Sequence, residues 1–535
     1  MKKTVSLLLA ALLTLTMCVV ALPVTADEAD TVPASVFTGD YDLQDAYLEK
    51  FTEDVENGIK QFDIYNADAF YVLASYMNSG TNPAYFADAT VTLKCDLIFN
   101  EGWTVEEMAA YSENGTIPEG QSAPTGWTPI GGTATSTAFK GTFEGEGHTI
   151  SGLYMDRSGV CGLFGHVAGA TIKNVGVIDS YIKAGYDGYA AGVVVRMNNA
   201  DKGSVVSGCY SNATIVCNGT KTVDGEVKTA GYGAGGIVAL VYGPDCVVEK
   251  CVFAGSIKAI STAGGIVGVT NASTDSYTVS VTISDCVNLG SVDTTLTETA
   301  LRSSGIIGLA RQAKIERCYS IGEITSNRTT TVDEVTVNIY NDVALFGSLN
   351  ADAKNANAGM TLSGCYLFTD LNQKVHGVGQ DATNAGESAW KAFCTVIADH
   401  TSIKGAAAET AMTTLDFTDV WSSVEDDYPL PTAVVTILNG VENVADPNPI
   451  VIGGENNGEN NGENNGENNE NNTTGDNKET DPVTEAPTEP VTDPATETTP
   501  TTEEESGCSS TMTGAAVAMI VAMSGMCAVV SKKRK

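Results

Sequence analysis

The chain has 535 residues, with 66 Asp and Glu against 29 Lys and Arg, a formal net charge of −37 and 42% hydrophobic residues. That charge leaves no basic footprint to neutralise phosphates, which excludes nucleic acid as a partner. The apolar fraction is ample for a sizeable core.

Residues 1–26 read as a secretory signal peptide. Lys2 and Lys3 supply the positive start, residues 5–21 are almost unbroken apolar sequence, and Val24-Thr25-Ala26 fits the small-residue cleavage pattern. Cys18 follows Met17, a poor fit to lipoprotein processing, so cleavage after Ala26 is expected. Residues 27–88 form an N-terminal helical capping region. Helical apolar spacing runs over 45–60 and 67–78, with Phe70, Leu73, Ala74 and Met77 on one face. Residues 89–93 alternate like a strand, and 105–111 look like a small inserted helix.

The segment 89–440 is a repeat domain. Its Cys half reads Cys209-Tyr210-Ser211-Asn212-Ala213-Thr214-Ile215, then Cys251-Val252-Phe253-Ala254-Gly255-Ser256-Ile257. It returns as Cys286-Val287-Asn288-Leu289-Gly290-Ser291-Val292 and Cys318-Tyr319-Ser320-Ile321-Gly322-Glu323-Ile324. A Gly half precedes it: Gly235-Gly236-Ile237-Val238, Gly264-Gly265-Ile266-Val267 and Gly305-Ile306-Ile307-Gly308, with degenerate versions at Gly192-Val193-Val194-Val195 and Leu345-Phe346-Gly347. A unit that cannot bury its own apolar face must stack on its neighbours, so the pattern predicts a mainly β solenoid. Each unit corresponds either to two coils or to one coil with loops. The glycines are expected to provide positive φ at tight corners. Cys209, Cys251, Cys286, Cys318 and Cys365 fall in equivalent positions, and Val175 occupies the same place in the first repeat. The position therefore wants a small apolar side chain.

The repeats open with Trp127-Thr128-Pro129-Ile130-Gly131 and Phe139-Lys140-Gly141-Thr142-Phe143-Glu144-Gly145-Glu146-Gly147-His148-Thr149-Ile150-Ser151-Gly152-Leu153. With Gly162-Leu163-Phe164-Gly165 and Thr171-Ile172-Lys173-Asn174-Val175-Gly176 after it, this phrase resembles the GLUG-motif repeat proteins of bacterial surfaces. The resemblance spans roughly residues 61–432, and Trp421 followed by Asp427-Tyr428-Pro429-Leu430 is similar to the phrase that closes such domains. It implies a parallel β-helix serving as a surface or adhesion module, sometimes attached to a separate enzyme.

Residues 441–510 form a disordered acidic spacer rich in Asn, Glu, Thr and Pro. From 441 to 506 there are 17 Asp and Glu and one basic residue, Lys478, too much charge and too little apolar surface to fold. Residues 511–530 carry no charge and are long enough for a transmembrane helix, and the basic tail 531–535 places their end on the cytoplasmic side. Removal of this segment after export is the alternative. No LPxTG-type motif precedes it, and Tyr428-Pro429-Leu430-Pro431-Thr432 is only a partial echo. The protein is thus expected to be exported and anchored in the plasma membrane, with its head outside.

Chemistry is harder to find. Cys246 and Cys251 are spaced C-x4-C, yet no second pair or His cluster completes a zinc site. The cysteines read as small buried hydrophobes, with Cys246–Cys251 or Cys209–Cys217 open as disulfides. Asp179, Asp187, Asp201, Asp245 and Asp285 do not recur in a compact motif, Asp426-Asp427 sits in the closing turn, and His148, His166, His376 and His400 form no HExxH. No catalytic, cofactor-binding or metal residues are assigned and no cofactor is expected. The leading expectation is a non-catalytic surface protein contacting an extracellular glycan or a host or matrix protein. The alternative is a β-helical carbohydrate-active enzyme, a polysaccharide lyase or glycoside hydrolase.

Overall fold

One turn of the chain runs through five short strands: Thr171–Lys173, Gly176–Ile178, Tyr181–Ala184, Gly188–Ala191 and Val194–Met197. The following strand, Val205–Ser207, lies parallel to Thr171–Lys173 with Thr171 opposite Val205. Each sequence repeat is therefore one coil of five strands, and loops absorb the variation in repeat length. The computed structural model describes residues 34–441 apart from 81–84, 133, 199, 224–225, 230, 271–280, 297–301, 333–334, 340, 350–359 and 377–389. The expected signal peptide, the spacer from 442 onward, the membrane segment 511–530 and the tail 531–535 lie outside the described residues. Among the described residues no helix is long and apolar enough to cross a membrane.

Stacked coils form five parallel sheets with few helices, a β-helix-like fold. Numbered in the order the chain visits them, they hold nine, eight, six, five and seven strands. The sheets begin inside the region expected to be helical: Gln61–Ile64 pairs with Thr90–Leu93, and Ser35–Val36 with Leu97–Ile98. Helix α1 (Tyr41–Glu56) is capped by Asp40 and α2 (Ala67–Asn78) by Asn66. Helix α2 plugs the end of the solenoid, its Phe70 stacking on Trp127 at 5.4 Å and meeting Phe143. The fully buried Asp68 carboxylate accepts hydrogen bonds from Thr38 N and Oγ1, Gly39 N and Gln44 Nε2, which offset its desolvation. Helix α3 (Val105–Asn114) starts with a Thr104/Glu107 capping box and buries Met108 against Tyr154 and Tyr181 on the third sheet.

The two halves of the repeated phrase meet inside the coil. Gly192, Gly236, Gly265 and Gly305 turn the chain from the fourth sheet to the fifth, and opposite them stand Ser211, Phe253, Asn288 and Ser320 of the second sheet. A Cβ on Gly236 would lie 2.0 Å from Gly265 O and 2.2 Å from the Phe253 ring, and one on Gly265 would lie 2.3 Å from Gly305 O. Close approach, not positive φ, is why these corners need glycine. The left-handed backbone occurs elsewhere, one residue before the cysteine column, at Asn174, Gly208, Lys250, Asp285, Arg317 and Gly364, with φ between 51° and 63°.

The cysteine column itself is fully buried, with Val175 in line. Each thiol lies over the carbonyl two residues earlier, as in Cys251 Sγ to Glu249 O at 3.0 Å and Cys286 Sγ to Ser284 O at 3.2 Å. Burial pushes the Cys209, Cys286 and Cys365 thiols well above the usual range. All ten described cysteines are free thiols, including Cys209, Cys217, Cys246 and Cys251.

After the last coil the chain doubles back as a strap. It runs through the 3-10 turn His400–Ile403, the short helix α4 (Ala407–Ala411), the antiparallel pair Trp421–Ser422 with Leu430–Pro431, and helix α5 (Thr432–Val441). Strap residues Ile403, Met412, Leu415, Trp421, Leu430 and Ile437 cover the outward side chains of the second sheet, among them Tyr210, Val252, Val287 and Tyr319. Trp421 stacks on Tyr319 at 6.0 Å, and Tyr319 Oη donates to Pro429 O at 2.5 Å. Ile437 reaches Gly176, where a Cβ would lie 2.9 Å from its Cγ2.

Candidate functional site

Most of the carboxylates visible in the sequence serve the backbone. Asp179, Asp187, Asp245, Asp285 and Asp426 all have φ between 48° and 57°, a conformation that Asp tolerates better than most residues. Asp179 N donates to Asn212 Oδ1 at 2.7 Å, and Asn212 Nδ2 donates back to its carboxylate at 3.1 Å. Asp285 is buried and accepts a fork from Arg317 Nε and Nη2, both at 2.7 Å, plus Trp421 Nε1 at 3.0 Å. This carboxylate ties the strap to the solenoid. Asp201 is exposed at a bend, and Asp427 accepts from Tyr428 N at 2.7 Å.

The histidines are dispersed. His148 lies 3.2 Å from Asp96, His166 is buried 2.9 Å from Asn198, and His376 stacks on Phe346 at 5.4 Å. His400 contacts Asp370 through Nδ1 and its backbone N, and Asp399 lies close enough for one donor atom from each of the three to fall within 4.8 Å. These groups are already engaged: Asp399 accepts from Thr401 N and Oγ1, which holds its carboxyl below the usual range. All three donors are exposed or half-exposed, and three are fewer than the roughly six to eight oxygens of a calcium shell. The trio clasps the strap's first turn.

His400 also borders a cleft of about 480 Å³ between the coil corners and the strap. One wall is the corner from the second to the third sheet, where Gly255, Gly290 and Gly322 stack and Leu289 and Ile321 project. A Cβ on Gly322 would lie 1.8 Å from Gly290 O, so side chains are excluded from this column. Glu323 and Asp342 lie along the same cleft, which Leu371, Gln373 and Tyr428 close. Gln373 is fixed at both ends, accepting from Phe368 N at 3.0 Å and donating to Ser320 O at 2.6 Å. The Tyr428 ring stacks with His400 at 6.0 Å and lies under the Lys404 ammonium at 4.7 Å. Burial pushes its hydroxyl up to about 12, and Asp427, Asp370 and Asp399 add to the shift. Burial likewise raises the Asp342 carboxyl, against the pull of Lys374.

Sequence reasoning did not single out this cleft, because its walls come from segments up to 174 positions apart, Ala254 to Tyr428. One signal was present. The residue after the corner glycine is Ser256, then Ser291, then Glu323, so the acid interrupts a serine column where the cleft lies.

No family model matches the chain, and no curated protein matches it. Among solved structures it is similar to a Bacteroides ovatus protein described as a "putative immunoglobulin A1 protease". The two share 15% identity, the match covers 70% of this chain and 92% of that one, and the TM-score is 0.41. A likeness of that size carries no inference about activity.

Proposed function

We propose that this chain is a non-catalytic cell-surface protein whose β-helix presents an ordered face for adhesion, contacting an extracellular glycan. The observation that carries the reading is the outer face of the first sheet. Its nine strands, about 38 Å along the stack at 4.8 Å per rung, bear the register column Thr90, Thr142, Thr171, Val205, Val247, Thr282, Lys314 and Thr361. Beside it run Glu144, Lys173, Ser207, Glu249, Ser284, Glu316 and Ser363. Most of these side chains are half-buried or exposed, and among the described residues none of them belongs to the apolar cluster that the strap covers. Aligned hydroxyls interleaved with carboxylates suit the hydroxyls of an extended saccharide. The resemblance to GLUG-motif surface proteins and the signal peptide, spacer and membrane segment read from the sequence support the same assignment.

A second reading, a polysaccharide lyase or glycoside hydrolase, has one observation in its favour. Glu323 and the raised Asp342 share a cleft, as an acid–base pair would. Residues 27–441 applied to a glycan and matrix-protein array, then incubated with plant and host polysaccharides, separate the two. Retention on a glycan without product supports the binding reading. Release of reducing ends or unsaturated products overturns it.

A further inference from the structure

The cleft between the coil corners and the strap has the features of a small-ligand site. At about 480 Å³ it falls within the usual range for small-molecule pockets. Its floor is a stack of glycines whose backbone groups already serve the ladder, as in Gly290 N to Phe253 O at 3.1 Å and Gly322 N to Asn288 O at 3.3 Å. Three polar side chains on its walls are uncommitted. Neither Glu323 nor Asp342 makes a side-chain hydrogen bond among the described residues, nor does the Tyr428 hydroxyl. Lys374, the cation near Asp342, donates to Asn341 O at 2.9 Å. Tyr428 is only 4% exposed, yet its hydroxyl is not sealed from solvent and borders the cleft. Beside these acceptors stand the partly buried apolar side chains of Leu289, Ile321 and Leu371.

Together, two carboxylates, one phenol and an apolar wall match the two faces of a sugar ring. Vicinal hydroxyls donate to carboxylates, and the C–H face lies on aliphatic carbon. Resting on the glycan-binding reading above, we propose that this cleft holds one ring of a neutral sugar, with Glu323 and Asp342 accepting from its hydroxyls and Tyr428 bonding a third. Uronates and other anionic sugars are rejected by the same carboxylates, reinforced by Asp370 and Asp399 beside His400. The departure from the repeat agrees: Glu323 stands where Ser256 and Ser291 occupy the equivalent places on the two preceding rungs.

The test uses the intact chain, with saturation-transfer NMR and calorimetry against a panel of neutral mono- and disaccharides, uronates and calcium alone. Glu323→Ser restores the residue of the neighbouring rungs, Asp342→Asn keeps a residue that tolerates its φ of 59°, and Tyr428→Phe keeps the ring stack. Each is expected to leave the melting temperature unchanged and to weaken neutral-sugar binding about tenfold or more, with uronates unbound in every form. Neutral-sugar binding that is unaffected by all three variants overturns the site, as does calcium binding lost in Glu323→Ser with no sugar bound. If the array ligand is still retained in those cases, the surface-binding reading survives. If neither the array nor the panel yields a ligand, both fail.

Discussion

The first and second sheets are built from the same coils, yet their outer faces are opposites. The second turns Tyr210, Val252, Val287 and Tyr319 outward, and the strap buries them. The first turns out threonine, serine, lysine and glutamate, most of them half-buried or exposed. Both inner faces are alike, with Ile172, Val206, Val248 and Ile283 in one and Val177 and Phe253 in the other. The inner faces make the solenoid, and the outer ones decide what lies on it. The apolar outer column is covered by the chain's own strap, whereas the polar one is the face proposed above for glycan contact.

Substitutions on the two outer faces should differ in cost. The largest effect is expected from Trp421→Ala, which removes the stack on Tyr319 and orphans part of Asp285. It should cost about 3–5 kcal/mol in chemical denaturation and open residues 398–441 to limited proteolysis. A loss below about 1 kcal/mol would mean that the strap is an ornament. Next comes a paired exchange. Val287→Thr places a hydroxyl beneath the strap and should cost about 1–3 kcal/mol, while Thr282→Val on the open face should stay within about 0.5 kcal/mol. Equal effects would erase the distinction between the faces.

The cysteine column offers a control common to both sheets. Cys286→Ser should destabilise by about 1–3 kcal/mol, whereas Cys286→Val should be nearly neutral because Val175 already fills the equivalent position. Equal harm from both, with metal lost from the protein, would make the column a metal site. The smallest effect belongs to the open face. Burial raises the Glu144 carboxyl, but hydrogen bonds from Lys173 and Asn174 outweigh it and hold the group below its ordinary value of 4.5. A lowered folded pKa gives stability that is present above the unfolded value and lost as pH falls through the folded one. Glu144→Gln should therefore cost under about 1 kcal/mol at pH 7 and nothing at strongly acidic pH, as read from denaturant midpoints at the two pH values.

The sequence displayed the inner architecture better than the outer. Helix α2 begins and ends where the spacing of Phe70, Leu73, Ala74 and Met77 places it, because burial at one end of the core imposes that period. The cysteine column with Val175 was legible for the same reason: stacking makes equivalent positions equivalent in environment. Corner conformation was not. Lys250 and Arg317 adopt left-handed backbone with no local mark, held by the ladder on either side. Nor was the clasp between Asp285 and Trp421, 136 positions apart, since no periodicity links the strap to the coil it covers. The cleft is assembled from both: Gly255, Gly290, Gly322 and Glu323 stand in the repeated phrase, whereas Leu371, Gln373 and Tyr428 carry no such mark.

The open face of the first sheet is the contact surface proposed above, and a comparison of two forms of the head separates it from every other face. The head is applied to the glycan and matrix-protein array as the natural sequence and as a double variant, Thr171→Arg with Thr282→Arg, which places bulk and charge on two rungs of that face without touching the core. The variant is expected to keep its melting temperature and to lose the glycan that the natural sequence retains. Undiminished binding by the variant, or a polysaccharide cut rather than held, would contradict it.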